Sequence, residues 1–214
     1  GRYSVALRDS TITEQLKQYF NNMSETITIS AFLDDSEKSL ELDGFLQEID
    51  VISDKVNYVK NTFGENKELE TTLEITRPTS FTLLKSDAKT GISFYGIPGG
   101  HEFNSFILAI LGLAGIGKKL DDDKLAKIAS ISKELNVETF IALSCTHCPE
   151  VVQALNSIAI NNKNIKSSMV DSVVYYDEAK AKDIQAVPVV FINGEMASVG
   201  AKTLDELIDL LASR

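Results

Sequence analysis

The sequence predicts an α/β fold in which one unit is used twice, each a mixed sheet flanked by helices, the two packed as one double-fold domain. Three observations carry this prediction. Strand-like apolar runs alternate with helical periodicities. Residues 27–38 and 137–148 match in pattern, each a strand running into a polar turn and then a helix. Each half also places a proline at the entrance of an apolar strand, and the spacing repeats: Cys145 stands 110 residues after Asp35, and Pro188 stands 110 after Pro78.

Taken in order, the first unit opens with a helix over residues 11–22, whose Ile12, Leu16, Tyr19 and Phe20 share one face. The strand from Ile27 follows, then a helix marked by Leu42, Phe45, Leu46 and Ile49, and a strand over 56–59. Pro78 opens a strand over 80–84, a long loop over 85–90 leads to a strand over 92–95, and the closing helix starts after Gly99-Gly100. The second unit repeats this with a helix over 122–135, the strand from Val137, and a helix carrying Val151, Val152, Leu155 and Ile158. A strand over 165–170 comes next, and Asn193-Gly194 then joins two further strands in a tight type I′ hairpin. Leu204, Leu207, Ile208 and Leu211 mark the last helix. A strand, crossover helix and parallel strand followed by an antiparallel hairpin gives helices on both sheet faces, and that order is the thioredoxin fold's. Gly117 and a run of charge place the boundary near 118–122, giving units over 1–118, without cysteine, and 119–214.

Composition removes several function classes. Acidic residues number 31 against 21 basic, and a net charge of -10 opposes nonspecific contact with nucleic acid. The strongest apolar stretch, 106–117, is about half of the roughly 20 residues a bilayer span needs and contains three glycines. A membrane-spanning role is therefore not expected. The chain starts Gly1-Arg2-Tyr3, with neither an initiator Met nor a signal-peptide core, so secretion has no support and the natural N-terminus is expected to lie elsewhere.

The chemistry sits in the only two cysteines, Cys145 and Cys148. A Cys-x-x-Cys at a strand-to-helix turn is a redox pair in logic, because unpaired N–H groups at the helix N-terminus stabilise a thiolate. Cys145, first in the turn, is expected to be the exposed attacker, and Cys148, a turn into the helix, the resolver. Zinc would need four ligands, and beyond the cysteines only His101 and His147 remain, so no metal site is expected. Asp121-Asp122-Asp123 reads as helix capping rather than a calcium loop. Gly112, Gly115 and Gly117 follow a helix rather than a strand and form no dinucleotide fingerprint. Pro188 can enter its strand through a cis bond and present the backbone of Val187 to a peptide, and Pro78 is expected to be cis as well.

Residues 143–156 around the cysteines, Gly100-His101-Glu102-Phe103 and residues 187–194 resemble the N-terminal domain of the bacterial alkyl hydroperoxide reductase flavoprotein subunit, over essentially the entire chain. The resemblance implies tandem thioredoxin-like units of which only the second is redox-active. It also implies a cytoplasmic shuttle that carries electrons from a flavin domain of its own parent chain to a peroxiredoxin, the C-type partner in the alkyl hydroperoxide reductase system. FAD and NADH belong to that flavin domain, and no cofactor beyond the Cys145-Cys148 disulfide is expected in this chain. The pair between the cysteines is Thr146-His147 rather than the family's His-Asn, so no catalytic histidine carries over to His147. The resemblance brings Glu102 close to the disulfide as a proton-handling group, whereas the residues alone equally allow it to complement the helix it opens. Thr146, His147, Val187 and Pro188 complete the expected peptide-binding set. Two other functions fit the sequence: a free-standing protein disulfide oxidoreductase, which the cysteine-free Asp35-Ser36-Glu37-Lys38 turn disfavours, and a noncatalytic scaffold.

Overall fold

The computed structural model describes residues 9–214; residues 1–8 of the expected first unit lie outside it. Helix α1 (Ser10–Asn21) leads into β1 (Ile27–Leu33), α2 (Glu37–Asp50), β2 (Val56–Thr62), α3 (Lys67–Leu73), β3 (Ser80–Lys85) and β4 (Ala88–Tyr95). A 3-10 turn (Gly100–Glu102) then opens α4 (Phe103–Leu113). The second series runs α5 (Asp122–Ala129), β5 (Leu135–Ile141), α6 (Cys148–Ile160), β6 (Ile165–Asp171), α7 (Tyr176–Ala181), β7 (Val189–Ile192), β8 (Glu195–Val199) and α8 (Leu204–Ala212).

The two mixed sheets are one. Strand order is β2-β1-β3-β4-β6-β5-β7-β8, so each unit arranges its strands alike and the seam is a parallel pairing of β4 with β6, Ile92 opposite Ser167 through Tyr95 opposite Val170. An edge that would otherwise invite foreign strands is thereby closed. Side chains alternate across the sheet. Ile27, Ile29 and Ala31 of β1 enter the large core shared by both units, while Phe32 joins Leu73 and Ile75 on the opposite face. Phe106 of α4 packs edge-on against Phe81 and Phe94, seating that helix on the sheet.

Several expectations change. The first hairpin is tight, not a long loop: Ser86 and Asp87 both take positive φ (46° and 67°), the two-residue turn whose twist matches its strands. Helix α5 stops at Ala129, because the Asn162 side-chain amide takes the Ile128 and Ile131 carbonyls, both at 2.8 Å, and the chain turns into β5. Helices α3 and α7 are additional; at seven and six residues they are too short to show a periodicity. The equal 110-residue spacing does not extend to the strands, because the turn before α2 occupies residues 34–36 and the turn before α6 occupies 142–147. Among the described residues only Val187-Pro188 is cis, so Arg77-Pro78 is trans. The chain turns instead at Thr79 (φ 63°), whose N–H donates to the Phe32 carbonyl at 2.8 Å, and the Tyr175 hydroxyl fastens the Pro78 and Thr79 carbonyls to the second unit.

Arg77 is the densest contact between the halves. Its guanidinium pairs in bidentate fashion with Glu178 of α7, both bonds 2.6 Å, and lies 2.9 Å from a carboxylate oxygen of Glu138 of β5. It also stacks 4.6 Å from the Tyr95 ring centroid. At the opposite end of the strands, Glu74 pairs with Lys89 of its own unit and Lys166 of the other, at 2.7 and 2.9 Å. Arg77→Ala leaves two carboxylates unpaired in a largely dry seam, so equilibrium urea unfolding should show a loss of about 3–5 kcal/mol. Arg77→Lys should recover only part of it, since an ammonium cannot reproduce the two-bond fork.

Candidate functional site

The C-terminal ends of β4, β5 and β6 lie at one end of the sheet, and the site is assembled there. From β5 the chain passes through residues 142–147 into α6, which Cys148 begins. Cys145 and Cys148 are joined by a disulfide, with their Cα atoms 5.5 Å apart. Cys145 is half-buried, whereas Cys148 is fully buried in the core beneath α6. The N-terminus of α6 carries no side-chain cap; Pro149 lies in its first turn. Its free N–H groups are thus available to a sulfur anion. The corresponding end of α2 is different, since the Ser36 hydroxyl accepts from the Ser39 N–H and spends those donors internally. Across that first turn, the Ser39 and Thr79 hydroxyls share a buried hydrogen bond of 2.7 Å.

Two segments flank the cysteines. Phe140 of β5 pairs with Val189 of β7, which draws Val187-Pro188 to the turn, and Cys145 Sγ lies 3.9 Å from the Val187 carbonyl oxygen. On the other side the first unit reaches over. The His101 N–H donates to the Leu143 carbonyl at 3.1 Å, two residues before Cys145. Gly100 makes this contact possible: its φ is +52°, and a Cβ there would fall 2.9 Å from the Leu143 carbonyl oxygen.

Glu102, next in that turn, is 0% exposed. Its Oε1 accepts from the Ser105 hydroxyl at 2.6 Å, Ser105 Oγ in turn accepts from the Gln153 side-chain amide of α6 at 3.1 Å, and Glu102 Oε2 has no hydrogen-bond partner. Burial pushes its pKa up to about 7, against the Ser105 hydrogen bond and with help from the charge of Asp171. Asp171, the last residue of β6, is itself buried, and that burial raises its pKa, opposed by backbone N–H groups including that of Val173 and by the charge of Lys38. Gly96 abuts it closely enough that a Cβ would fall 2.9 Å from Asp171 Cβ. His101, Thr146 and His147 are exposed, and Val187 is half-buried.

The structure therefore gathers Cys145, Cys148, Val187 and Pro188 around one turn and brings the segment bearing Glu102 against the same turn. Sequence reasoning missed Asp171, Ser105 and Gln153. Asp171 had a readable signal, an acidic residue closing an otherwise apolar strand; the other two acquire their contacts only when α4 meets α6. Among the described residues no three His, Cys, Asp or Glu side chains gather as metal ligands, and no helix is long and apolar enough to cross a membrane.

Comparisons with known proteins agree with this arrangement. A thioredoxin domain family matches residues 135–212, the cysteine-bearing series. The alkyl hydroperoxide reductase flavoprotein AhpF of Pseudomonas aeruginosa is 38% identical over 94% of this chain, and the chain spans 36% of that protein's length. The crystal structure of the NTD_N/C domain of AhpF from Enterococcus faecalis is 34% identical with a TM-score of 0.88, covering 94% of this chain and 98% of that one. A protein disulfide oxidoreductase of Aeropyrum pernix shares the fold, with a TM-score of 0.85 at 20% identity over 99% of this chain and 95% of that one. A continuous double thioredoxin fold with a single Cys-x-x-Cys in its second half, matched from end to end by a solved AhpF domain, places this chain in the alkyl hydroperoxide reductase AhpF family as its N-terminal, tandem thioredoxin-like domain.

Proposed function

We propose that the chain is a dithiol-disulfide oxidoreductase module of a peroxide-reducing system. Its two units are residues 1–118, a redox-inactive platform, and 119–214, which carries the exchange. In the reduced chain the Cys145 thiolate attacks one sulfur of a peroxiredoxin disulfide, forming a mixed disulfide and releasing the other sulfur as a thiolate that takes up a proton. Cys148 then loses its proton and attacks Cys145, which frees the second peroxiredoxin thiol and leaves the Cys145-Cys148 disulfide. Two electrons and two protons pass from one pair of sulfurs to the other. The observation that carries this reading is the disulfide itself, with one reachable and one buried sulfur at the uncapped start of α6.

Val187, Pro188, Thr146 and His147 form the proposed seat for the partner's extended segment, with the Val187 carbonyl oriented to Cys145. Glu102 is the proposed proton partner of the dithiol, for which its pKa of about 7 is suited. Re-reduction of the disulfide falls to the rest of the parent polypeptide, in the cytoplasm, where FAD and NADH are expected. This chain does not fit those cofactors: Gly112 lies in α4 and Gly115 and Gly117 just beyond it, not in a strand-to-helix phosphate turn.

Incubating Cys148→Ser with the oxidised peroxiredoxin should accumulate a mixed disulfide through Cys145, visible on a nonreducing gel and identified by peptide mapping. Cys145→Ser should form none. A trapped species through Cys148 in the second variant, or nothing with either, would overturn the assignment of attacker and resolver.

The Glu102 proton also has a thermodynamic signature. Below pH 4.5 the carboxyl is protonated folded and unfolded, so it adds no pH dependence; between 4.5 and about 7 the folded chain keeps a proton the unfolded chain has lost, and stability falls as pH rises. Glu102→Gln removes this loss. Relative to the parent, its unfolding free energy should improve by about 2–3 kcal/mol between pH 4.5 and 8. A difference independent of pH in urea titrations would mean that the carboxyl is not buried with a raised pKa.

A further inference from the structure

Gln153 lies on α6, the helix the cysteines open, yet its amide reaches across to the first unit. A serine hydroxyl has one proton to give. The proton of Ser105 goes to Glu102 Oε1 at 2.6 Å, so the group 3.1 Å from its oxygen must itself be a donor, and Gln153 Nε2 is that donor. The two bonds run in one direction, from α6 through α4 to the carboxyl. Without the amide, the hydroxyl is free to rotate and accept from a protonated Glu102, and the preference for the ionised acid disappears. Both residues also line a cleft of about 520 Å³ between α4, α6 and the start of α5, along with Gly112, Lys118, Asn156 and Ile160.

We propose that Gln153 is a positioning residue: by donating to the Ser105 hydroxyl it fixes that hydroxyl as a donor to Glu102, so the redox helix itself sets how readily the first unit's carboxyl yields its proton. The other charges near this carboxyl are Asp171 at the end of β6, which opposes ionisation, and Lys38 of α2, which acts on Asp171. Gln153 brings no charge, only direction. The inference rests on the proposed role of Glu102 as proton partner, and its test separates the two.

The Glu102 carboxyl of the reduced 214-residue chain is titrated by carbon-detected NMR, beside the pH profile of Cys145 alkylation. Gln153→Leu and Ser105→Ala should each raise the Glu102 midpoint by about half to one pH unit, the scale of one neutral hydrogen bond. The double variant should move it no further than Ser105→Ala, because Gln153 acts only through that hydroxyl. Gln153→Lys, which keeps a donor, should leave the midpoint at or below the parent's. A Gln153→Leu midpoint that overlays the parent's, or additive shifts in the double variant, overturns the proposal. Should the midpoint move while the alkylation profile stays fixed, the positioning role stands and the proton-partner role of Glu102 fails.

Discussion

Arg77 holds a full charge where water is nearly excluded, its side chain only 12% exposed, and this is tolerable only because the second unit brings Glu138 and Glu178 to it. Burial works against that charge, while the hydrogen bonds and charges of Glu178 and Glu138 hold it on, and Glu178 is held ionised in return. The ion cluster and the β4–β6 pairing enforce each other: the strands set the register, and the charges penalise any slip from it. With that seam fixed, the Gly100 turn of the first unit meets Leu143 of the second, and Glu102 is held beneath the redox turn.

The two repeats use equivalent positions in opposite ways. Ahead of Pro188, Val187 presents a carbonyl to Cys145; ahead of Pro78, Arg77 grips the neighbouring unit. The start of α6 is left uncapped, and the start of α2 is closed by Ser36, with Ser39 and Thr79 bonded across it. A unit without cysteines has no sulfur anion to stabilise, so its helix N-terminus gains from a serine cap, typically about 1 kcal/mol. The first unit thus exchanges chemistry for adhesion, and it contributes to the site through a residue on its closing turn.

Much of this was legible in the sequence. The two-unit α/β order, the Asn193-Gly194 hairpin and the Cys-x-x-Cys at a helix start all rest on short-range patterns. What was not legible depends on distant partners. The end of α5 is set by Asn162, 33 residues beyond Ala129, and the merging of two sheets into one is decided by which edges meet. The tight Ser86-Asp87 turn lacks the glycine that marks such hairpins, so its residues read as a longer loop. The donor chain from Gln153 to Glu102 joins residues 51 positions apart on helices of different units, and no local periodicity encodes it.

The central claim is that a carboxyl of the cysteine-free unit takes part in the proton chemistry of the dithiol. Thiolate absorbance at about 240 nm, followed through pH in the reduced chain and in Glu102→Gln, tests it directly. Two coupled acids titrate in shared steps. The parent should therefore show a component near pH 7 that the variant lacks, with the Cys145 midpoint lowered once no carboxylate opposes the thiolate. Superimposable curves for the two proteins would contradict the account, and would reduce Glu102 to a buried residue with no part in the exchange.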